Sequence, residues 1–192
     1  MLQVEPTAIP GVLIVTPKRH SDARGFFSEV YNTERWREAG IDADFVQDNQ
    51  SLSREAGTIR GLHFQIPPRE QGKLVRVTHG SILDVAVDIR RGSPTFGQVV
   101  EVELSAVNWR QLWLPAGMAH GFCTLERDTE VIYKVTAGYA PEAERGIAFD
   151  DPALGIGWPV SGKQAILADR DRTFPPLSEL PDYFTFEGEQ DQ

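Results

Sequence analysis

The stretch SILDVAVDIR, residues 81–90, sets Leu83, Val85, Val87 and Ile89 on one face at period two and Asp84 and Asp88 on the other, as a β-strand does. Outward from it, VLIV from Val12, FFSEVY from Phe26, FVQDNQSL from Phe45, TIRGLHFQ from Thr58 and KLVRVTH from Lys73 come before. QVVEVEL from Gln98, RQLWLP from Arg110, HGFCTL from His120 and EVIYKV from Glu130 come after. All are short and rich in β-branched or aromatic residues, and Gly and Pro breaks stand between them at Pro67 and Pro68, Gly92 to Pro94, Pro115 to Gly117, and Asp151 with Pro152. One internal segment, TERWREAG, reads as a helix, with Thr33 as its N-cap, Trp36 pointing inward and Gly40 at its stop. Many short strands with almost no helix predict an all-β sandwich or barrel, for which a jelly roll is one solution to the exposed-edge problem. The stretch from Pro175 is punctuated by proline and ends in the acidic EGEQDQ, an end expected to fray.

A chain of 192 residues with 41% hydrophobic content is long enough for one well-packed core, so a single domain over residues 1–192 is expected. Nineteen Lys and Arg against 28 Asp and Glu leave a net charge of −9, which argues against nucleic acid or an anionic membrane as partner and still permits a local basic pocket. No apolar run of about 18 residues is present to span a bilayer. The start MLQVEPTAIPGV lacks the basic and apolar regions of a secretory signal, so a cytoplasmic location is expected. Cys123 is the single cysteine; it forms no intrachain disulfide and reads as a small buried hydrophobe with no chemical role.

Several strands carry polar groups on the same face as apolar ones, which needs a reason. In RGLHFQ, Gly61, His63 and Gln65 share one face and Arg60, Leu62 and Phe64 the other. Tyr133 lies on the face of Val131 and Val135, and Lys73 on that of Val75 and Val77. His63, Lys73 and Tyr133 could therefore project into one interior, where a histidine base, a tyrosine acid and a lysine beside an oxyanion suit carbanion chemistry next to a carbonyl. Taken singly, each has an ordinary reading: a hydrogen-bonded structural histidine, a tyrosine of normal β-propensity, and a lysine whose ammonium sits in water. His120 opens a strand after a turn, where it could cap backbone groups or reach a ligand, while His20 and His79 read as surface or structural residues. Barrels that bind a metal through two histidines one residue apart need a second histidine where Gln65 stands, so no metal is expected. Nicotinamide, P-loop and serine-hydrolase motifs are absent.

The residues also match a family. The chain resembles the dTDP-4-dehydrorhamnose 3,5-epimerases through DARGFFSEVY from Asp22, FVQDNQSLS from Phe45, GTIRGLHFQIPPREQGKLVRV from Gly57 and GSILDVAVDIRRGSPTFG from Gly80. QLWLPAGMAHGF from Gln111, VIYKVTAGYAPEAERGIAFDDPALGIGWP from Val131 and LADRD from Leu167 extend the match over most of the chain. The resemblance implies a cupin jelly roll, a homodimer, no metal or organic cofactor, and a dTDP-4-keto-6-deoxy sugar whose C3 and C5 both flank the ketone. It implies His63 as the base, Asp171 as the carboxylate behind it, Tyr133 as the acid that returns a proton at C5, and Lys73 as the group that stabilises the C4 oxygen. It implies substrate contacts at Arg24, Glu29, Gln47, Asp48, Asn49, Arg60, His120 and Glu144, with Tyr139 as an aromatic wall of the pocket. Arg24 and Arg60 suit a diphosphate because a guanidinium fork matches phosphate oxygens. Arg170 departs from the pattern, standing where the family usually has Lys. The rival readings are a mono-epimerase of an antibiotic sugar, a non-catalytic sugar-binding cupin, and a metal-dependent cupin oxygenase, the last disfavoured by Gln65.

Overall fold

The computed structural model describes residues 2–186, with strands numbered here in chain order. A six-stranded sheet runs in the order β1 (Gln3–Pro6), β2 (Leu13–Thr16), β11 (Gln111–Leu114), β7 (Lys73–His79), β13 (Thr129–Val135) and β5 (Gln47–Ser53). A five-stranded sheet runs β10 (Val99–Ser105), β8 (Ser81–Asp88), β12 (Met118–Thr124), β6 (Ile59–Gln65) and β14 (Glu144–Gly146). Every pairing within these two sheets is antiparallel. Two small ribbons complete the set: a hairpin of β3 (Arg19–Asp22) with β4 (Gly25–Ser28), and a parallel pair of β9 (Arg90–Arg91) with β15 (Phe184–Thr185). The two sheets face one another as a jelly roll of the cupin type, the expected fold class.

Both faces of β8 are buried, which explains its density of apolar residues. Ile82 and Ala86 look between the sheets, with Val75, Leu112, Phe122 and Val131. Val85 and Val87 point the other way, beneath a C-terminal segment that supplies Ile147, Leu154, Trp158 and Leu177. Residues 175–186 therefore pack against the barrel, and of the acidic tail expected to fray, residues 187–192 lie outside the described residues. On the opposite surface the outer face of the six-stranded sheet is covered by α1 (Thr33–Glu38), whose Trp36 is buried against Val15, Leu74 and Trp113. Burial of a large apolar side chain of this kind contributes roughly 1.5–3 kcal/mol, so both outer layers matter to stability. The helix cap is Asn32 rather than Thr33: its side-chain oxygen accepts from the Arg35 N–H. Gly40, at φ +88°, ends the helix as expected. Among the described residues, no helix is long and apolar enough to cross a membrane.

Apolar side chains fill only part of the space between the sheets. The remainder is an open cavity of about 570 Å³.

Candidate active site

β6 delivers Arg60 and His63 to the cavity through an irregularity. Pairing with β12 shifts register: His120 lies opposite His63, but Phe122 lies opposite Arg60, so three steps on β6 match two on β12. The extra residue turns Arg60 and His63 toward the same side, although strict alternation puts them on opposite faces. Gly61 sits at this bulge with φ +127°, and a Cβ there would lie 2.6 Å from Gly121 Cα, so the close approach of β12 requires glycine. Its N–H then points at Asp171.

Asp171 arrives on a 3₁₀ turn, Asp169–Arg172, tethered to the start of β6 by the bridge between Thr58 and Ile166. One carboxylate oxygen lies 2.9 Å from His63 Nε2, and the other accepts from the Gly61 N–H at 3.2 Å. Burial acts to raise the Asp171 carboxyl, but the bonds from His63 and Gly61 and the nearby Arg170 cation outweigh it and hold the group below the ordinary carboxylate range. The imidazole is 22% exposed, open to the cavity while its partner is buried at 3%. A histidine backed by a fixed carboxylate can accept a proton and hold the resulting charge.

Tyr133 belongs to the other sheet. It lies on β13 opposite Val75 and Asn49 and reaches the same cavity. Burial raises its phenol above the ordinary tyrosine range despite Arg60, so the group keeps its proton and can donate it. Lys73, 8% exposed, donates to the His63 carbonyl at 3.2 Å, and burial brings its ammonium down to about 8 against the opposing pull of Asp84 and Glu144. The interior placement expected for His63, Lys73 and Tyr133 is what the fold produces. His120 also lines the cavity and bonds to Asp84 at 2.7 Å.

The cavity mouth is built from β5, β14 and the turn before it. Gln47 and Asn49 face inward, while Asp48 points to the opposite face and pairs with Lys134 at 2.8 Å; a strand cannot send three consecutive side chains the same way. Asp48, expected as a substrate contact, therefore does not line this cavity. Ser51 continues the inward series, and its hydroxyl is buried without a partner among the described residues; period two along Gln47, Asn49 and Ser51 was the available signal for it. Tyr139, 53% exposed, donates its hydroxyl to Glu144 at 2.8 Å, and Arg170 grips the same carboxylate with two nitrogens at 2.7 and 3.1 Å. Arg170 Nε also lies 3.4 Å from Asp171, so one guanidinium spans the mouth and the dyad, which a lysine in that position could not do. Arg24 and Glu29 do not line this cavity. Arg24 stands on the exposed β3–β4 hairpin bonded to Asp22, and Glu29 pairs with Arg35 at 2.8 Å.

Gln65, where a metal-binding cupin would place a histidine, is committed to backbone groups. Its amide donates to the Arg69 carbonyl at 2.7 Å and the Gly138 carbonyl at 3.2 Å and accepts from the Ala140 N–H at 2.8 Å. Gln71 donates to the Ala137 carbonyl and Gln47 accepts from the Tyr139 N–H, so three glutamines pin the turn that presents Tyr139. Gln65→Ala is expected to lower stability by about 1–3 kcal/mol, through the backbone groups it orphans. It should also raise KM several-fold with a smaller change in kcat, as checked by thermal unfolding and steady-state kinetics; an unchanged KM would separate Gln65 from the binding wall. Cys123 is fully buried and its thiol is pushed up to about 11 by burial, in keeping with a structural part. His20 and His79 are exposed.

A jelly roll holding a His–Asp pair against one sheet, and a protonated tyrosine and a buried lysine on the other, defines an acid–base isomerase of the cupin class. The family model described as dTDP-4-dehydrorhamnose 3,5-epimerase matches residues 6–179, and the chain belongs to that family. It is 51% identical over 179 residues to the dTDP-4-dehydrorhamnose 3,5-epimerase of Sinorhizobium fredii, covering 93% of this chain and 91% of that protein. The crystal structure of dTDP-6-deoxy-D-glucose-3,5-epimerase from Legionella pneumophila in complex with dTDP-4-keto-L-rhamnose superposes with a TM-score of 0.92 at 43% identity, covering 97% of this chain and 100% of that one. A 3'-monoepimerase from Streptomyces bikiniensis in complex with dTDP-quinovose gives 0.83 at 36% identity, covering 90% and 87%.

Proposed function

We propose that this protein converts dTDP-4-dehydro-6-deoxy-D-glucose to dTDP-4-dehydro-L-rhamnose by removing and returning a proton at C3 and at C5. The observation that carries the reading is the opposition of His63 on the five-stranded sheet to Tyr133 on the six-stranded one across a single cavity. Inversion at carbon needs removal on one face and return on the other, which two groups on opposite walls supply. His63 takes the proton beside the C4 ketone, leaving an enolate and an imidazolium that Asp171 stabilises. The Lys73 ammonium meets the charge on the C4 oxygen, and Tyr133 gives its proton to the opposite face of the enolate carbon, becoming a phenolate that solvent or the imidazolium reprotonates. Because C3 and C5 flank the same ketone, one constellation serves both. Arg60, Gln47, Asn49, His120, Tyr139, Glu144 and Arg170 bind the remainder of the substrate.

The protein acts as a homodimer. Support comes from the hairpin with Arg24, whose Phe26 and Phe27 are 54% and 72% exposed: a second copy would cover these rings and could receive Arg24 and Glu29, which do not reach their own cavity. A charged nucleotide sugar does not cross a bilayer unaided, which assigns the enzyme to the compartment that makes its substrate, the cytoplasm.

The test is proton NMR of the 4-keto sugar nucleotide in D₂O, followed by chemical reduction to identify the products. Deuterium at C3 and C5 with rhamno configuration supports the double epimerase. Label and inversion at one carbon would make it a mono-epimerase, and no label would reject the reading. Lys73 adds a pH dependence. Its ammonium, with a value of about 8, is charged below that pH and neutral above it, so kcat/KM should fall as pH rises through about 8. Tyr133, raised above the ordinary tyrosine range by burial, loses its proton only at higher pH. In Lys73→Arg the limb near pH 8 should vanish because guanidinium keeps its charge; its persistence would remove Lys73 from the reaction.

A further inference from the structure

Asp84 and His120 form a second His–carboxylate pair. Asp84 is fully buried on the inward face of β8, and its Oδ1 lies 2.7 Å from His120 Nε2. His120 lies opposite Ala86 on β8, one diagonal step from Asp84, and opposite His63 on β6. The bond to Asp84 is the only hydrogen bond of the His120 ring among the described residues, although the ring lines the cavity.

A carboxylate only accepts, so the ring nitrogen facing it carries the proton. Burial, with Lys73 and His63 adding to it, depresses His120 and disfavours a second proton on the ring. The remaining nitrogen, Nδ1, is then an acceptor. Acceptors are scarce in this cavity, where Lys73, Arg60 and Tyr133 are donors. The Gln47 oxygen already takes the Tyr139 N–H, the Asn49 oxygen the Gln47 amide, and the Gln65 oxygen the Ala140 N–H. Glu144 is held by Tyr139 and Arg170, and Asp171 by His63 and Gly61. A 4-keto-6-deoxyhexose presents ring hydroxyls that must donate to something when they leave water.

We propose that Asp84 is a positioning residue that locks His120 as its Nε2–H tautomer, so that Nδ1 presents a lone pair to a ring hydroxyl of the sugar. The contact gives the site selectivity for a hydroxylated sugar over its deoxy analogue, since a buried acceptor left without its donor costs affinity. The inference rests on reading the cavity as the sugar site.

The direct test is long-range ¹H–¹⁵N NMR of the histidine rings in the ligand-free protein, assigned with His120→Phe. His120 should show a protonated Nε2 and an unprotonated Nδ1. In Asp84→Asn, whose amide can donate to Nε2, the signal should move toward the Nδ1–H form. A wild-type ring protonated at Nδ1 would overturn the proposal, as would a tautomer unchanged in Asp84→Asn. Because no turnover is involved, this readout stands or falls separately from the epimerase assignment.

Kinetics supply the second arm, at a pH well below 8 so that Lys73 keeps its charge when its neighbour Asp84 is neutralised. Asp84→Asn should lower kcat/KM about 10–100-fold, as loss of an orienting carboxylate commonly does. Affinity for dTDP, which has no hexose, should be unchanged, and the double variant with His120→Phe should lose little beyond His120→Phe alone. Equal losses of dTDP and sugar-nucleotide affinity would show a structural role and reject the proposal.

Discussion

His63→Ala is expected to reduce kcat by about 10²–10⁴-fold, the usual scale for removing a general base, while dTDP still binds. Other residues are proposed to bind the nucleotide, and His63 is not part of the apolar cluster buried between the sheets. The substitution also leaves an Asp171 oxygen without its imidazole donor, so some stability should be lost. His63→Gln, which keeps an amide near that oxygen, separates the two effects: it should recover stability without recovering turnover. Deuterium exchange at C3 and C5 should fail together in His63→Ala, because one base serves both carbons. Activity at the wild-type level would remove His63 from the mechanism, and loss of exchange at one carbon only would require a second base.

In Tyr133→Phe the product should change as well as the rate. Phenylalanine retains the packing of Tyr133 against the inter-sheet core and deletes the phenolic hydroxyl offered from the six-stranded side. His63 still removes and returns protons on its own face, so isotope exchange at C3 should persist while inversion at C5 falls by about 10²-fold or more. The measurement is the ratio of rhamno-configured to singly inverted or uninverted sugar after reduction, followed together with the label. A full yield of rhamno product would show that the returning proton comes from another group. The solved 3'-monoepimerase related to this chain makes the comparison informative, because one jelly-roll scaffold hosts both outcomes.

How much of this could be read from residues alone varies with the element. Period two in SILDVAVDIR, the polar residues interleaved in RGLHFQ and EVIYKV, and the Gly and Pro breaks were enough for an all-β barrel with His63, Lys73 and Tyr133 inside it. These are local properties, since alternation and turn chemistry act between near neighbours in the chain. Where a local rule breaks, the residues alone mislead. Strict alternation sets Arg60 apart from His63, and only the bulge against β12 returns it to the same side. Alternation on β5 puts Ser51 in the cavity and Asp48 on the other face, which could be read only once the inward face was known.

The sequence by itself determined the class of fold, the charge balance that excludes a broad anionic partner, and the alternation that lets His63, Lys73 and Tyr133 share one interior, because all of these depend on composition and short-range spacing. Beyond the pairing of Asp171 with His63 that the family resemblance implied, only the tertiary structure decided which groups meet: Arg170 with Glu144 across 26 positions of chain, and Asp84 with His120 across 36. Such pairings arise from the register of strands brought together by long connections, and no local propensity encodes that register. The same reason accounts for Tyr133 and His63 on opposite walls, the arrangement that makes inversion chemically available.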